Sequence, residues 1–220
     1  WAADTFEVEK FTSTVGISVT ADYVGNDVVI EVTVPENATG NVIVSVDGVD
    51  YSAEINNGIA SVTIKNLGNG TYNAVATYLG DENYTSANAN QTFKVDKVAS
   101  EINLTISNSG VITEGMDVDI IISAPVDATG KVNVVVSNGT EEQSYTVYVN
   151  DGTGLLHIER PGVGNYTVVA EYLGDAKYIG SQAQTKFEVN VTDKEITVNT
   201  TPITDYGDES ITVSVSGDHV

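Results

Sequence analysis

Apolar and polar residues alternate with a period of two along most of this chain, the spacing that puts successive side chains of an extended strand on opposite faces. Val28, Ile30, Val32 and Val34 form one apolar row, with Glu31 and Thr33 between them. Val42, Val44 and Val46 form a second, and Ala60, Val62 and Ile64 a third. The rows return as Val118, Ile120 and Ile122, as Val132, Val134 and Val136, and as Leu156 and Ile158. Helical periodicity is missing. Gly, Asn, Asp or Pro closes each row, and these residues build turns.

The returning rows belong to an internal repeat. Asn69–Asp81 (NGTYNAVATYLGD) comes back as Gly164–Asp175 (GNYTVVAEYLGD), which maps Tyr72 onto Tyr166 and Phe93 onto Phe187, 94 residues on in both cases. Pro35–Gly40 (PENATG) comes back as Pro125–Gly130 (PVDATG), only 90 residues on. Four residues are therefore inserted between these landmarks in the second copy, near Asn138 to Ser144. A repeat of this length is a whole sandwich-sized domain rather than one turn of a solenoid.

Phase sets the expected boundaries. Phe93–Lys97 closes one repeat and Phe187–Val189 the next, so Phe6–Lys10 reads as the closing strand of a preceding repeat. The expected organisation is residues 1–10 as that closing strand, 11–98 as the first domain and 99–192 as the second. Residues 193–220 are then the opening of a further, truncated repeat, with strands at Ile196–Val198 and Ile211–Val215. About seven antiparallel strands per repeat, with turn signals every 8–12 residues, predict an all-β chain of tandem immunoglobulin-like β-sandwiches. Tyr72 and Tyr166 stand where such domains carry a corner tyrosine near the start of the sixth strand, and each hydroxyl is expected to tie its corner. Two residues on, where a disulfide cysteine often sits, stand Ala74 and Val168, so aliphatic packing alone holds these cores.

Composition narrows the function. The 220 residues include 31 acidic and 9 basic side chains, a formal net charge of −22. That field repels nucleic acid and disfavours an anionic membrane surface. The chain has no cysteine, which excludes thiol catalysis, disulfides and Cys-based zinc sites. Its apolar runs are too short to span a bilayer, so no direct membrane insertion is expected of this fragment.

The Tyr-Leu-Gly-Asp-x-x-Tyr hairpins at Tyr78–Tyr84 and Tyr172–Tyr178, the Phe-x-Val closing strands and the Pro-x-x-Ala-Thr-Gly loops together resemble a known family. It is the tandem bacterial-type Ig-like repeats of adhesin-like surface proteins, especially those of methanogenic archaea. The resemblance implies an acidic, archaeal, cell-surface stalk with a role in attachment, and it carries over no catalytic residue.

Candidate chemistry is sparse. Asn37, Asn69, Asn83, Asn90, Asn103, Asn138, Asn165, Asn190 and Asn199 head Asn-x-Ser/Thr sequons and are glycosylation candidates, with loop residues Asn37 and Asn138 the better placed. Asp22, Asn26 and Asp27 of the first repeat, facing Asp127 and Asp175 of the second, are the candidates for a junctional calcium, since hard oxygen ligands suit that ion. No Asp-x-Asp-x-Asp-Gly loop supports them, and no other cofactor is expected. His157 alternates with Leu156 and Ile158 and is expected to face solvent without a catalytic partner. Lys10, Lys97 and Lys194 recur at the ends of closing strands, where a role at the junction is more natural than a buried isopeptide. Tyr51, Tyr145 and Tyr148 are candidates for a carbohydrate platform.

The sequence therefore points to a non-enzymatic, extracellular, adhesin-like stalk whose repeats act as spacer and attachment modules. Flanking Ig-like repeats and a host or neighbouring cell-surface protein or glycan are the expected partners. The alternatives are a glycan- or protein-binding module, or a subunit of an extracellular filament or viral appendage that uses its orphan strands for assembly.

Overall fold

The computed structural model describes residues 7–107 and 110–192, together with the backbone of Thr197–Thr200 and Val213–Ser216. The first sandwich contains β1 (Gly16–Thr20), β2 (Val28–Thr33), β3 (Asn41–Val46), β4 (Val49–Glu54), β5 (Ile59–Ile64), β6 (Gly70–Tyr78) and β7 (Ala87–Val95). They form a three-stranded sheet, β1-β2-β5, and a four-stranded sheet, β4-β3-β6-β7. The apolar rows read from the sequence are the inner faces. Val28, Ile30, Val32, Val42, Val44, Val46, Ala60, Val62 and Ile64 all lie in one buried cluster between the sheets. Burying each such Val or Ile stabilises the fold by roughly 1.5–3 kcal/mol, so these rows dominate the choice of register.

The second sandwich repeats the plan with β8 (Asn103–Ile106), β9 (Ile112–Thr113), β10 (Val118–Ser123), β11 (Gly130–Ser137), β12 (Glu142–Val149), β13 (Thr153–Ile158), β14 (Gly164–Tyr172) and β15 (Ser181–Asn190). The sheets here are β13-β10-β8 and β12-β11-β14-β15-β9. Its first strand is split. β8 pairs antiparallel with β10, and the chain then crosses so that β9 pairs parallel with β15, Ile112 opposite Val189. In the first sandwich the crossover shrinks to one parallel bridge, Tyr23 opposite Asp96. Such a crossover ties the opening segment to both sheets of the sandwich.

The inserted four residues are now located. Val46 pairs with Val49 across a tight Asp47-Gly48 turn, whereas the corresponding Val136 pairs with Gln143. The β11–β12 hairpin thus runs one residue pair further and ends in a four-residue loop, Asn138-Gly139-Thr140-Glu141.

The terminal expectations fall largely at or beyond the edges of the described residues. Residues 7–10 pair with no strand among the described residues, and Phe6 is outside them. Of the expected last strands, Ile196 and Ile211 are outside the described residues. The backbone of β16 (Thr197–Thr200) and β17 (Val213–Ser216) forms an antiparallel pair, Thr197 opposite Ser216. Among the described residues no helix is long and apolar enough to cross a membrane.

Both corner tyrosines close their corners. Tyr72 donates its hydroxyl hydrogen to the Gly68 carbonyl at 3.0 Å, and Tyr166 to the Gly162 carbonyl at 2.9 Å. Each ring also stacks on the closing-strand phenylalanine, Tyr72 on Phe93 at 5.5 Å and Tyr166 on Phe187 at 4.7 Å between centroids. Replacing either tyrosine with phenylalanine keeps the stack and removes the hydrogen bond. Chemical denaturation is expected to show a loss of about 1 kcal/mol in the altered sandwich alone. No loss at either position would show that the hydroxyls do not hold the corners.

Candidate functional site

Each copy of the Tyr-Leu-Gly-Asp-x-x-Tyr hairpin meets the Pro-x-x-Ala-Thr-Gly loop at one end of its sandwich. The loop begins as a turn in which Ala38 N–H donates to the Pro35 carbonyl at 2.9 Å and Ala128 N–H to the Pro125 carbonyl at 2.8 Å. Ala38 and Ala128 point into the core. The following threonine then turns toward the hairpin aspartate. Asp81 Oδ2 accepts from Thr39 N–H at 2.8 Å and from the Thr39 hydroxyl at 2.9 Å. Asp81 Oδ1 accepts from the N–H groups of Asn83 and Tyr84, each at 2.8 Å. Asp175 repeats the arrangement with Thr129, Lys177 and Tyr178 at 2.7–3.3 Å.

The other motif residues follow from this knot. Tyr78 and Tyr172 are fully buried. Tyr172 donates to the Thr129 carbonyl at 2.7 Å, and burial pushes its hydroxyl up to about 12. Tyr78 is pushed equally far, first by burial and then by Asp81, and its hydroxyl lacks a partner of good geometry among the described residues. Gly80 and Gly174 sit at φ 82 and 80, where a side chain would run into the Tyr84 or Tyr178 carbonyl at 2.7 or 2.6 Å. Only glycine fits there. Burial works against the charged form of Asp81, yet the surrounding N–H and O–H donors overcome it and hold the carboxyl far below the usual range. The same balance lowers Asp175.

The chain enters each sandwich across this knot. Phe11 N–H donates to the Asn83 carbonyl at 2.8 Å, and Thr85 N–H donates to the Phe11 carbonyl at 2.9 Å. In the second copy Val98 N–H donates to Lys177 O at 2.8 Å, and Ile179 N–H to Val98 O at 2.9 Å. Ser13 and Ser100 hydroxyls donate to Thr85 O and Ile179 O, both at 2.6 Å. Lys10 donates from Nζ to the Asp81 carbonyl at 2.6 Å, and Lys97 does the same to the Asp175 carbonyl. Lys194 lies outside the described residues.

The candidate calcium ligands fall into other roles. Asp175 spends its carboxylate on the knot. Asp127 accepts from Lys177 Nζ at 2.7 Å and from the Tyr178 hydroxyl at 2.5 Å, and these bonds lower its pKa. The first sandwich does approach here, since a side chain at Gly25 would meet Lys177 Cε at 3.5 Å. Asp22 contributes its carbonyl, which accepts from Asp96 N–H at 3.0 Å, and Asn26 its N–H, which donates to Tyr23 O at 3.0 Å. Asn26 and Asp27 are exposed. Among the described residues no three His, Cys, Asp or Glu side chains converge on a common point. The cation at Asp127 is the chain's own lysine.

The remaining candidates are dispersed. Asn37, Asn69, Asn83, Asn90, Asn103, Asn138 and Asn165 are exposed, Asn190 is half-buried, and the side chain of Asn199 is outside the described residues. Asn69 Nδ2 donates to Val95 O at 2.9 Å, and Asn138 Oδ1 caps its own loop through Thr140 and Glu141 at 2.8–3.0 Å. His157 is exposed as expected, but Nδ1 lies 2.6 Å from Asp119 Oδ1 on the paired strand, and that bond raises its pKa. The sequence reading missed this partner because the pair exists only through the β10–β13 register. Tyr51 and Tyr145 pack against the two cores, while Tyr148 faces solvent under Lys131, so the three form no common platform.

Residues 12–96 match the family model described as Bacterial Ig-like domain (group 3). No curated protein matches the chain. Among solved structures it is similar to a segment of titin, at 16% identity and TM-score 0.47, covering 93% of this chain and 74% of that one. A tetra-tandem repeat from the extending region of a large adhesion protein aligns at 17% identity and TM-score 0.46, covering 93% of this chain and 63% of the other. A two-domain fibronectin type III segment of chicken tenascin aligns at 11% identity and TM-score 0.42, covering 79% and 97%. The fold is an immunoglobulin-like β-sandwich.

The lowered aspartates predict an acid limb. A carboxyl whose folded pKa lies below its unfolded value of about 4 contributes stability above that value and loses it as pH falls through the folded pKa. Asp81, Asp127 and Asp175 all shift in this direction. Melting temperature is expected to hold from neutral pH to about 4 and to fall steeply below it. Asp81→Asn should lower the neutral-pH melting temperature of the first sandwich and flatten its acid limb, leaving the second unchanged.

Proposed function

We propose that this chain is part of a cell-surface, adhesin-like stalk, in which Ig-like repeats act as stiff spacers that carry an attachment function away from the cell. One observation carries the reading. The same entry clamp is built twice, with a lysine and a serine donating to main-chain carbonyls and one residue paired on both sides of the hairpin loop. A linker held in this way sets the direction in which a sandwich follows the chain before it, which a spacer requires and an isolated binding domain does not. The acidic surface and exposed sequons are in keeping with an extracellular glycoprotein, and the motif resemblance favours surface proteins of the archaeal methanogen type. Catalysis has no support in the arrangement, since the only described histidine is bonded to Asp119 on an open sheet face.

Three measurements test this. Antibodies against residues 11–192 are expected to label intact, unpermeabilised parent cells. Attachment should respond to the number of repeats and tolerate exchange of one repeat for another of equal length. Attachment that follows the identity of a single repeat would replace the spacer with a ligand-binding module. At the junction itself, Lys97→Ala combined with Ser100→Ala should broaden the distance distribution between spin labels placed on the two sandwiches. An unchanged distribution would show that the clamp does not set their relation.

A further inference from the structure

The second sandwich carries a cleft of about 230 Å³ between the lengthened β11–β12 hairpin and the turn after β13. Its floor is Val136, Ile158 and Pro161, and its walls offer Asn138, Glu141, Gln143, Tyr145 and Arg160. Most of one wall comes from the four inserted residues and their neighbours. The first sandwich has the Asp47-Gly48 turn in that place and lacks the residues to build such a wall. Arg160 is the only arginine in the chain. Its backbone is left-handed at φ 37, a conformation that the equivalent Asn66 adopts at φ 58 and that a non-glycine residue takes at a cost. Its N–H donates to Asp117 at 3.1 Å, while its guanidinium makes no hydrogen bond or ion pair with any described residue. An acidic chain thus places its one guanidinium, without a partner among the described residues, in a cleft found where its two repeats differ.

We propose that this cleft binds a single sugar residue of a glycan chain. The size is below the roughly 300–1,000 Å³ of clefts that hold drug-sized ligands, and so suits one residue of a polymer. The chemistry matches vicinal hydroxyls, which need donors and acceptors side by side. Arg160 supplies donors only and Glu141 acceptors only, and Asn138 and Gln143 offer amide N–H donors whose own oxygens are already engaged by the loop and by Tyr145, above an apolar floor for the ring's C–H face. Tyr145, held by its hydroxyl to Gln143, keeps that amide in place. This inference stands apart from the spacer reading, because a repeat can carry a sugar site whether or not it also serves as a spacer. It requires Asn138 to be free of glycan, since that residue forms part of the wall.

The test uses the 220-residue chain made in a host without N-glycosylation, titrated with a hexose, an N-acetylhexosamine and a hexuronic acid while backbone amide shifts are followed. One sugar class is expected to shift the Glu141, Gln143, Arg160 and Gly162 amides and to leave the first sandwich unmoved. Arg160→Asn keeps a residue suited to the left-handed backbone, as Asn66 shows, and should weaken that binding by about tenfold without lowering the melting temperature. Replacing residues 137–142 with Asp-Gly, the turn of the first sandwich, should abolish it. Shifts that map elsewhere, binding that survives both changes, or no shift with any of the three sugars would each overturn the proposal.

Discussion

In each sandwich one carboxylate holds together the two motifs that look most like a family signature. Asp81 and Asp175 accept from a threonine in one loop and from two N–H groups in their own hairpin. Without that acceptor, several N–H groups at the end of the sandwich would turn to water, and the loop and the hairpin would lose the bonds that join them. The glycine before the aspartate and the tyrosine that starts the hairpin are both explained by the same knot. The glycine lets the backbone turn back on itself, and the tyrosine fills the core directly beneath. The entry clamp is built on top of the knot, because the carbonyls it uses belong to residues that the carboxylate has already positioned.

The clamp also suits the charge of the molecule. A chain with net charge −22 gains little by joining its domains through paired carboxylates, since like charges repel unless a cation sits between them. Here the junction uses lysine ammonium groups against main-chain carbonyls and against Asp127. Lys10, Lys97 and Lys177 are placed where the entering chain meets an acidic hairpin loop. A resident lysine supplies the cation beside the Asp127 carboxylate.

The strands and the sandwich were legible in the sequence because a period of two is a direct consequence of pleat geometry, and every apolar row named from it faces a core. Corner tyrosines were legible for the same reason, being fixed relative to the start of a strand. The roles of Asp81, Asp127 and Asp175 were not. An acidic side chain in a loop looks the same whether it accepts backbone N–H groups or binds a cation, and the distinction lies in the position of Thr39, Thr129 and Lys177, distant in sequence. The split first strand was hidden because β9 is only two residues long, Ile112–Thr113, too short to show a period.

The two repeats differ unevenly, and the location of the difference is informative. Aspartate, threonine, glycine, serine and lysine recur at the entry end, where one repeat has to fit against the chain that precedes it. The four-residue insertion falls in a hairpin that makes no part of that fit. A hairpin extended by one pair of residues costs a sandwich little, because its base remains in the ladder and its loop caps itself through Asn138. Such a site can change without disturbing the register of either sheet or the geometry of the junction. In the stalk proposed above, the joint between repeats and the proposed sugar cleft occupy separate parts of the same fold, so one repeat could vary at the cleft while keeping how the repeats are joined.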